Sequence, residues 1–494
     1  MKNRKFYEIE PQTILKIFYD ICQIPHLSGH EEKLRQYCID FLTENKVDFK
    51  YQIDKIGNIV ISMPASLGCE QKPCVALQAH LDMVPVKESG VVHDFLLDEI
   101  DAYEEKGWIN ANGTTLGADN GVGIAIILAY AVSKKEKHGP LELIFTVQEE
   151  IGMQGMAAFK MPIQSQYFIN LAGEDEEENK FAVGCLGSKA YTAKFKPKIE
   201  KIKGNLVVLE FTIDGLVGGH AGSTAVQTKA NAISGCLQIV QRISNNYKIK
   251  FIDIDGGESF NAIPSFCSAI FAVEKEDSIV VQKQIHSDAK AFIKAYSDVE
   301  KNISYSLKRV NNKYSQSFNE DSSLKTLKAF SCTYNGLMFY NKEFGLQELS
   351  LNLGKFYYDK NKNELEIKYQ VRTLNMDRLD WIMKIWKSNI ECLNFSIEKS
   401  IHYPPWLPKK SEDGLKSTLL TTVNNASLKL LGKPANFYIM NAGLETTFIS
   451  SRYPKIEGIV LPVNIQGAHS SNEKIEIKSI TTCDRLLKEI IKNL

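Results

Sequence analysis

Short, strongly apolar segments alternate with helical patterns in the first part of this 494-residue chain. NIVISMP (58–64), CVALQAH (74–80) and LELIFTVQ (141–148) are typical of buried strands, and a helix is predicted over about 120–134, between the last two. Strands this apolar need helices on both faces of their sheet to exclude water. The pattern therefore predicts an α/β sheet, and such sheets bind ligands beyond the carboxyl ends of their strands.

A change of residue pattern after GCLGS (184–188) predicts an inserted domain. Alternating, lysine-rich strands follow, with helices predicted over about 229–245 and 276–298, and a comparable block runs from about 300 to 398. The Pro-rich IHYPPWLP (401–408) is interpreted as the return linker. We expect a first domain formed by 1–186 and 401–494, interrupted by a two-lobed α+β domain at 187–400.

Charge and composition exclude several classes of protein. The 59 basic residues equal the 59 acidic ones, whereas binding a nucleic acid requires a basic excess. The longest apolar stretch, GVGIAIILAYAV (121–132), is too short to cross a bilayer, and the N-terminus does not resemble a secretory signal. Ten scattered cysteines without CxxC spacing suit reduced thiols. These features predict a cytoplasmic protein without a nucleic-acid or membrane partner.

Two segments near the predicted strands carry polar residues of possible chemical use. In CVALQAHLD, His80 and Asp82 are two residues apart on an extended segment, so the carboxylate can orient the imidazole. A surface pair is the alternative. Asp119, in TTLGADNGVGIA, lies between glycine-rich turns and a buried helix, which predicts a helix N-cap that borders a site.

A second group of polar residues follows the strand at 141–148 and lies near the C-terminus. Adjacent Glu149 and Glu150 would repel each other unless a divalent metal bound one and left the other as a general base; a solvated strand end is the alternative. His469 lies in a loop of Gly and Ser residues. Imidazole and carboxylate ligands without cysteine suit zinc, manganese or cobalt, and two metals bridged by one carboxylate suit hydrolysis of an acyl bond.

Several motifs together resemble those of the M20 metallopeptidases, and most closely the aminoacyl-histidine (Xaa-His) dipeptidases, or peptidase D family. The resemblance extends in order over nearly the whole chain. It is carried by HLDMVP, TTLGADNGVGIA, QEEIGMQG, GGHAG with His220, NAIP (261–264) and GAHSSNE.

The resemblance implies a zinc-peptidase-like catalytic domain interrupted by a lid and dimerisation domain, and a homodimer that cleaves small peptides of the Xaa-His type. It implies two zinc ions, with manganese or cobalt possible, bound by His80, Asp119, Glu150 and His469, of which Asp119 is the bridge, and by one further acid, for which Asp175 is the candidate. Asp82 would orient His80, Glu149 would be the general base toward a metal-activated water, and His220 would polarise the scissile carbonyl. The implied substrate-binding residues are Asn261, Arg372, Gly443 and Glu445, with Arg372 for the terminal carboxylate.

The sequence departs from the family pattern at one metal ligand. An Asp is expected after the strand in FINLAGEDEEE, but that position holds Ala172 or, with two residues inserted, Glu174 followed by Asp175. Either Asp175 or Glu174 replaces the ligand, or the second metal is bound weakly or is absent. Asn441 also replaces a family His. Another M20-type amidase or tripeptidase, and a metal-depleted peptide-binding relative, therefore stay open as alternatives.

Overall fold

The protein is described from a computed structural model, which covers residues 3–174, 176–221, 229–310, 313–342, 345–408 and 417–494, without the side chains of Glu174, His220 and Ile401. The described chain divides into two compact units. Unit 1 contains 1–185, 406–440 and 444–494, and unit 2 contains 186–405 and 441–443.

The elements of the first part of unit 1 are short strands and helices. They are a 3-10 turn Phe6–Glu8, α1 Gln12–Cys22, α2 Glu32–Glu44, β1 Lys50–Ile53, β2 Ile59–Met63, β3 Val75–His80, β4 Ala102–Glu105, β5 Trp108–Ala111, α3 Ala118–Ala131, β6 Leu141–Thr146, α4 Gln154–Ala158, β7 Tyr167–Glu174 and β8 Lys180–Cys185.

Unit 2 contains longer strands. Its elements are β9 Gly187–Phe195, β10 Ile199–Lys201, β11 Leu206–Asp214, β12 Gly219–His220, α5 Ala232–Ser244, β13 Lys250–Gly257, β14 Ala262–Ile263, β15 Cys267–Glu274, α6 Ser278–Tyr296, β16 Ser304–Arg309, β17 Gln316–Phe318, α7 Glu320–Ser331, β18 Gly336–Asn341, β19 Leu346–Asp359, β20 Glu364–Thr373, α8 Met376–Cys392 and β21 Ser396–Tyr403.

The chain then returns to unit 1. The remaining elements are α9 Thr418–Leu431, β22 Asn436–Met440, α10 Thr446–Arg452, β23 Glu457–Val463, β24 Ile465–Gln466, β25 Lys474–Glu476 and α11 Ile477–Asn493. Among the residues that the structure describes, no helix combines the length and apolar character that a membrane span requires.

A mixed eight-stranded sheet forms the centre of unit 1. Its order is β1-β2-β6-β3-β7-β23-β8-β22, and β6, β3, β7 and β23 run parallel to one another. Every residue of β3 and β6 is buried, and α3 is buried on nearly all sides, as its apolar sequence predicts. The predicted α/β fold class is confirmed, and the parallel strands bring four carboxyl ends to one edge of the sheet.

Unit 2 is an internal repeat. One half consists of β11, α5, β13, β15, α6 and β16 in the sheet order β16-β11-β15-β13, and the other consists of β9, α7, β19, β20, α8 and β21 in the order β21-β9-β20-β19. The halves therefore have the same connectivity. They join through antiparallel β13 and β19, where Asp255 pairs with Tyr357, and β10 pairs with β17 where the first half is inserted into the second. The two-lobed α+β architecture is thus observed.

Candidate metal and catalytic site

The parallel strands of unit 1 place three polar segments at one edge of the sheet. His80 is the last residue of β3 and pairs with Thr146, the last residue of β6, while Glu149 and Glu150 lie three and four residues beyond the end of β6. His469 lies beyond β23 and has a positive φ of 60°, a backbone conformation uncommon outside glycine. The side chain of His469 approaches Glu150, with 3.0 Å between Nε2 and Oε2.

Asp119 links the two histidines. Its Oδ1 lies 3.0 Å from Nε2 of His80, and its Oδ2 lies 3.3 Å from Nε2 of His469. The predicted N-cap role is wrong, because Gly117 occupies the N-cap of α3 with a φ of 74° and Asp119 lies inside the first turn with a non-helical backbone. That local distortion directs the carboxylate toward both imidazoles.

His80, Asp119 and Glu150 could together hold a metal ion. Their ligand atoms all lie within 4.8 Å of one another, and Oε1 of Glu150 is buried without a hydrogen-bond partner among the described residues. A buried carboxylate oxygen without a partner is costly unless a cation binds it. The donor set of imidazole and carboxylate groups suits zinc, manganese or cobalt, so these residues fit a divalent metal.

Asp82 supports this group in two ways. Nδ1 of His80 lies 3.0 Å from the backbone oxygen of Asp82 and 3.5 Å from its Oδ1, which leaves Nε2 of the imidazole directed toward Asp119. The carboxylate of Asp82 also accepts hydrogen bonds from the backbone N–H groups of Glu149 (2.9 Å) and Glu150 (3.0 Å), and from Oγ of Ser28 (2.6 Å). Asp82 therefore orients the segment that carries both glutamates as well as the histidine.

The close packing of acids shifts their ionisation. Removal of the Glu149 carboxyl from bulk water raises its pKa well above the usual value, and His80 opposes the shift while the charges of Glu150, Glu445 and Asp119 add to it. Burial likewise raises the pKa of Glu150. Hydrogen bonds to Asp119 and Glu150 raise the pKa of His469 to about 11. A divalent cation would reverse these shifts, because imidazole and carboxylate bind metals in their deprotonated forms.

Glu473 is a supporting residue that sequence reasoning did not assign. Its buried carboxylate accepts backbone hydrogen bonds from Leu116 (2.8 Å), Gly117 (3.0 Å) and Asp119 (3.2 Å), and so fixes the turn that presents Asp119. A buried glutamate in a polar loop has no periodic signal in sequence. Only its place four residues after His469 hints at a role.

Replacement of Glu473 should destabilise unit 1. We expect Glu473→Ala to lower the free energy of unfolding by roughly 3 kcal/mol, because three backbone donors lose their acceptor. Urea unfolding measures this change, with the exposed Glu44→Ala as the matched control. An unchanged unfolding midpoint together with unchanged metal content would contradict the supporting role.

Glu445 lies in a buried polar cluster of unit 1. Its Oε2 accepts hydrogen bonds from Nε2 of Gln78 and from Oγ1 of Thr146 (2.8 Å), while Oε1 has no partner among the described residues. Burial raises the pKa of Glu445 to about 7. The structure thus places Glu445 beside the ends of β3 and β6, near the charges of His80 and Asp82.

In unit 2, backbone pairing joins the GGHAG and NAIP segments. His220 pairs with Ala262, and N–H of Ala221 donates to the backbone oxygen of Asn261 at 2.7 Å. The side chain of Asn352, on β19, donates to the backbone oxygens of Phe260 (2.7 Å) and Ala262 (2.8 Å) and anchors this loop. Asn352 was not identified from sequence. The side chain of His220 lies outside the described part of the structure.

Arg372 and Gly443 lie close together in unit 2. Arg372 is 5% exposed, and its Nη1 donates to Oη of Tyr403 (3.3 Å) and to the backbone oxygen of Asn441 (3.2 Å). The ring of Tyr403 packs so closely against Gly443 that a Cβ there would lie 2.6 Å from a ring atom. Gly443 therefore makes room for the tyrosine that holds Arg372, a contact that no sequence pattern indicates.

Ala172 stands at the position where the family pattern has a metal-binding Asp. Ala172 lies within β7, where its N–H donates to Oδ1 of Asn170 at 2.9 Å. The side chain of Glu174 and the whole of Asp175 lie outside the described residues. Asp175 therefore stays a prediction as a metal ligand.

A sheet whose parallel strands end in imidazoles and carboxylates, with no thiolate among them, is the arrangement of a metal-dependent hydrolase. The family description "Peptidase family M20/M25/M40" matches residues 76–493. The chain belongs to this family, as its motifs predicted.

Individual relatives agree with this assignment. The chain is 32% identical to the cytosol non-specific dipeptidase of Escherichia coli, over 99% of this chain and 98% of the relative. The crystal structure of aminoacylhistidine dipeptidase from Vibrio alginolyticus is similar with a TM-score of 0.83 and 28% identity, covering 98% of this chain and 97% of that one. Aminopeptidase PepT from Bacillus cereus shares the fold, with a TM-score of 0.54, 16% identity and coverage of 98% and 99%.

Proposed function

We propose that this protein is a metal-dependent dipeptidase whose substrates include Xaa-His dipeptides. The observation that carries the proposal is the position of Asp119, which directs one carboxylate oxygen to each of two histidines, His80 and His469. A carboxylate placed in this way can bridge two metal ions. The similarity to the dipeptidases of Escherichia coli and Vibrio alginolyticus over nearly the whole chain supports a dipeptide substrate.

Unit 1 would supply the metal ligands and the base. His80, Asp119, Glu150 and His469 would hold two zinc ions, or manganese or cobalt, with Asp175 as a further ligand. When bound, the metals would lower the pKa of water and polarise the scissile carbonyl.

Glu149 would move the protons of the reaction. Its carboxylate would accept a proton from the attacking water and pass it to the leaving amine nitrogen, so that the peptide bond breaks as a carboxylate and an amine form. Asp82 would keep Glu149 in place through the backbone N–H bond at 2.9 Å.

Residues 187–400 would act as a lid and dimerisation domain. His220 would stabilise the developing oxyanion, Asn261 and the Gly443 loop would bind the substrate backbone, and Arg372 would bind the terminal carboxylate. Glu445, in unit 1, would bind the substrate end. We further propose a homodimer in the cytoplasm. The free state of all ten cysteines and the name of the cytosolic relative support that location.

Removal of the metal should abolish hydrolysis. We expect chelator-treated protein to recover Ala-His cleavage when zinc, manganese or cobalt is added, because the residues that fit a metal are also those beside the proposed base. Glu149→Ala measures the background. If several dipeptides with all three metals give no turnover above that background, the proposal is wrong.

The number of metal ions bound per chain distinguishes a catalytic protein from a non-catalytic relative. Ala172 at a ligand position motivates a relative that has lost a metal and only binds peptides. Two tightly held metals per chain, measured by mass spectrometry, would count against that alternative, and zero or one would favour it. A panel of tripeptides and acyl-amino acids would distinguish a dipeptidase from another amidase of the family.

A further inference from the structure

A cavity of about 740 Å³ lies within unit 2. Residues that line it include Ala221, Ile263, Asn352, Gln370 and Arg372. Three of these, Ala221, Ile263 and Arg372, belong to or adjoin the proposed substrate-binding segments. Ala221 follows His220, and Ile263 belongs to NAIP. The cavity therefore adjoins the residues of unit 2 that we propose to bind the substrate backbone and carboxylate.

Gln370 offers an acceptor without a partner at this cavity. The residue is 3% exposed, and its Nε2 donates to Oγ of Ser188 at 3.0 Å. The hydroxyl of Ser188 donates to the backbone oxygen of Val371 at 3.0 Å, so its single proton is already used and Oγ must accept from the amide. This fixes the orientation of the amide. Oε1 of Gln370 is then a buried acceptor with no partner among the described residues.

Gln370 and Arg372 point from the same face of β20. They are two residues apart on a strand, and they pair with Asn352 and Ser350 of β19 respectively. Their Cα atoms are thus separated by about 7 Å, the rise of two strand residues. One amino acid whose carboxylate binds Arg372 can therefore extend its side chain to Gln370.

We propose that this cavity is the subsite for the C-terminal residue of the dipeptide, and that Oε1 of Gln370 selects side chains that carry a hydrogen-bond donor. The proposal rests on the proposed function, because Arg372 is the carboxylate anchor there. Imidazole and primary amide side chains supply such a donor, whereas aliphatic and thioether side chains do not. An aliphatic side chain leaves the buried acceptor unpaired, which penalises binding.

Two pairs of substrates of similar size test the selection. We would measure kcat and KM of the metal-loaded enzyme for Ala-His against Ala-Leu and for Ala-Gln against Ala-Met. In each pair, kcat/KM for the substrate with a side-chain donor is divided by kcat/KM for its apolar partner. Gln370→Met should lower this ratio about tenfold, mainly through KM. Gln370→Leu, with a smaller apolar side chain, is the second variant and should act in the same direction.

Gln347→Met is the matched control. Gln347 is 2% exposed, lies on β19 and has both amide atoms without partners among the described residues, yet it does not line the cavity. This variant should keep the wild-type substrate ratios. Thermal unfolding distinguishes a structural role. Gln370→Met loses the hydrogen bond from Nε2 to Ser188 but also removes the unpaired acceptor Oε1, so the melting temperature should change by only a few degrees, and a large loss of stability would mark a structural role.

The outcomes separate this inference from the proposed function. An unchanged ratio in active Gln370→Met and Gln370→Leu, or an equal loss on all four substrates, would overturn the subsite. A wild-type enzyme that cleaves no dipeptide would overturn the proposed function instead. In that case calorimetry with free L-histidine and L-leucine decides the subsite. A preference of the wild-type protein for histidine that Gln370→Met removes supports it. No preference in the wild-type protein, or the same preference in Gln370→Met, overturns it.

Discussion

Glu149→Gln should lower kcat on the order of 10³-fold while the metal content of the protein stays unchanged. The substitution keeps the size of the side chain but removes the group that would accept the proton of the attacking water, and general-base catalysis commonly contributes 10²- to 10⁴-fold. Glu149 is also the acid next to the ligand candidate Glu150, with its backbone held by Asp82. Steady-state kinetics on Ala-His, with metal analysis of the same sample, measures both quantities.

Glu44 is exposed in unit 1, and Glu44→Gln is the control for this experiment, which should retain full activity. A kcat of Glu149→Gln within tenfold of the wild-type value would show that another group is the base. Loss of metal together with activity would instead make Glu149 a ligand, contrary to the role proposed for it.

Asp119→Asn should remove metal and activity together. The amide keeps the shape of the carboxylate but loses its charge, and it offers a single oxygen where two now face His80 and His469. We expect the metal content to fall by at least one ion per chain. We also expect kcat/KM to fall on the order of 10³-fold, because metal ions supply several kcal/mol of transition-state stabilisation.

Metal analysis and dipeptide kinetics measure these changes, and exposed Asp48→Asn in the same unit serves as the matched control. Circular dichroism should show an intact fold, because Asp119 belongs to the candidate site and not to the hydrophobic core. Full metal occupancy in Asp119→Asn would contradict a bridging role. The contrast with Glu149→Gln is diagnostic, because only Asp119→Asn is expected to lose metal.

Much of the fold follows from short-range patterns. The apolar runs ending at His80 and Gln148 predicted β3 and β6, and the structure places these strands side by side in parallel. Parallel strands end at the same edge of the sheet, so the position of the acids and histidines after strands already implied a shared site. The change of residue pattern after 184–188 likewise predicted the two-lobed part of the chain.

The supporting contacts did not follow from such patterns. Glu473 binds three backbone N–H groups more than 350 residues earlier in the chain, Asn352 holds the loop that carries Asn261, and Tyr403 holds Arg372 in space left by Gly443. Each contact joins segments far apart in sequence. Glu473 lies in an irregular segment, and Asn352, Arg372 and Tyr403 are buried polar residues on strands. Helical and strand periodicity predict apolar residues at buried positions, so neither pattern identifies these residues.

The sequence by itself determined the class of the fold, the family and the set of acids and histidines, because periodicity and motif spacing are local properties of the chain. The tertiary structure alone decided how Asp119 divides its two oxygens between His80 and His469. It also decided that Asp82 orients both glutamates, and that unit 2 repeats one connectivity through the pairing of β13 with β19. These features depend on contacts between distant segments, which exist only once the chain has folded.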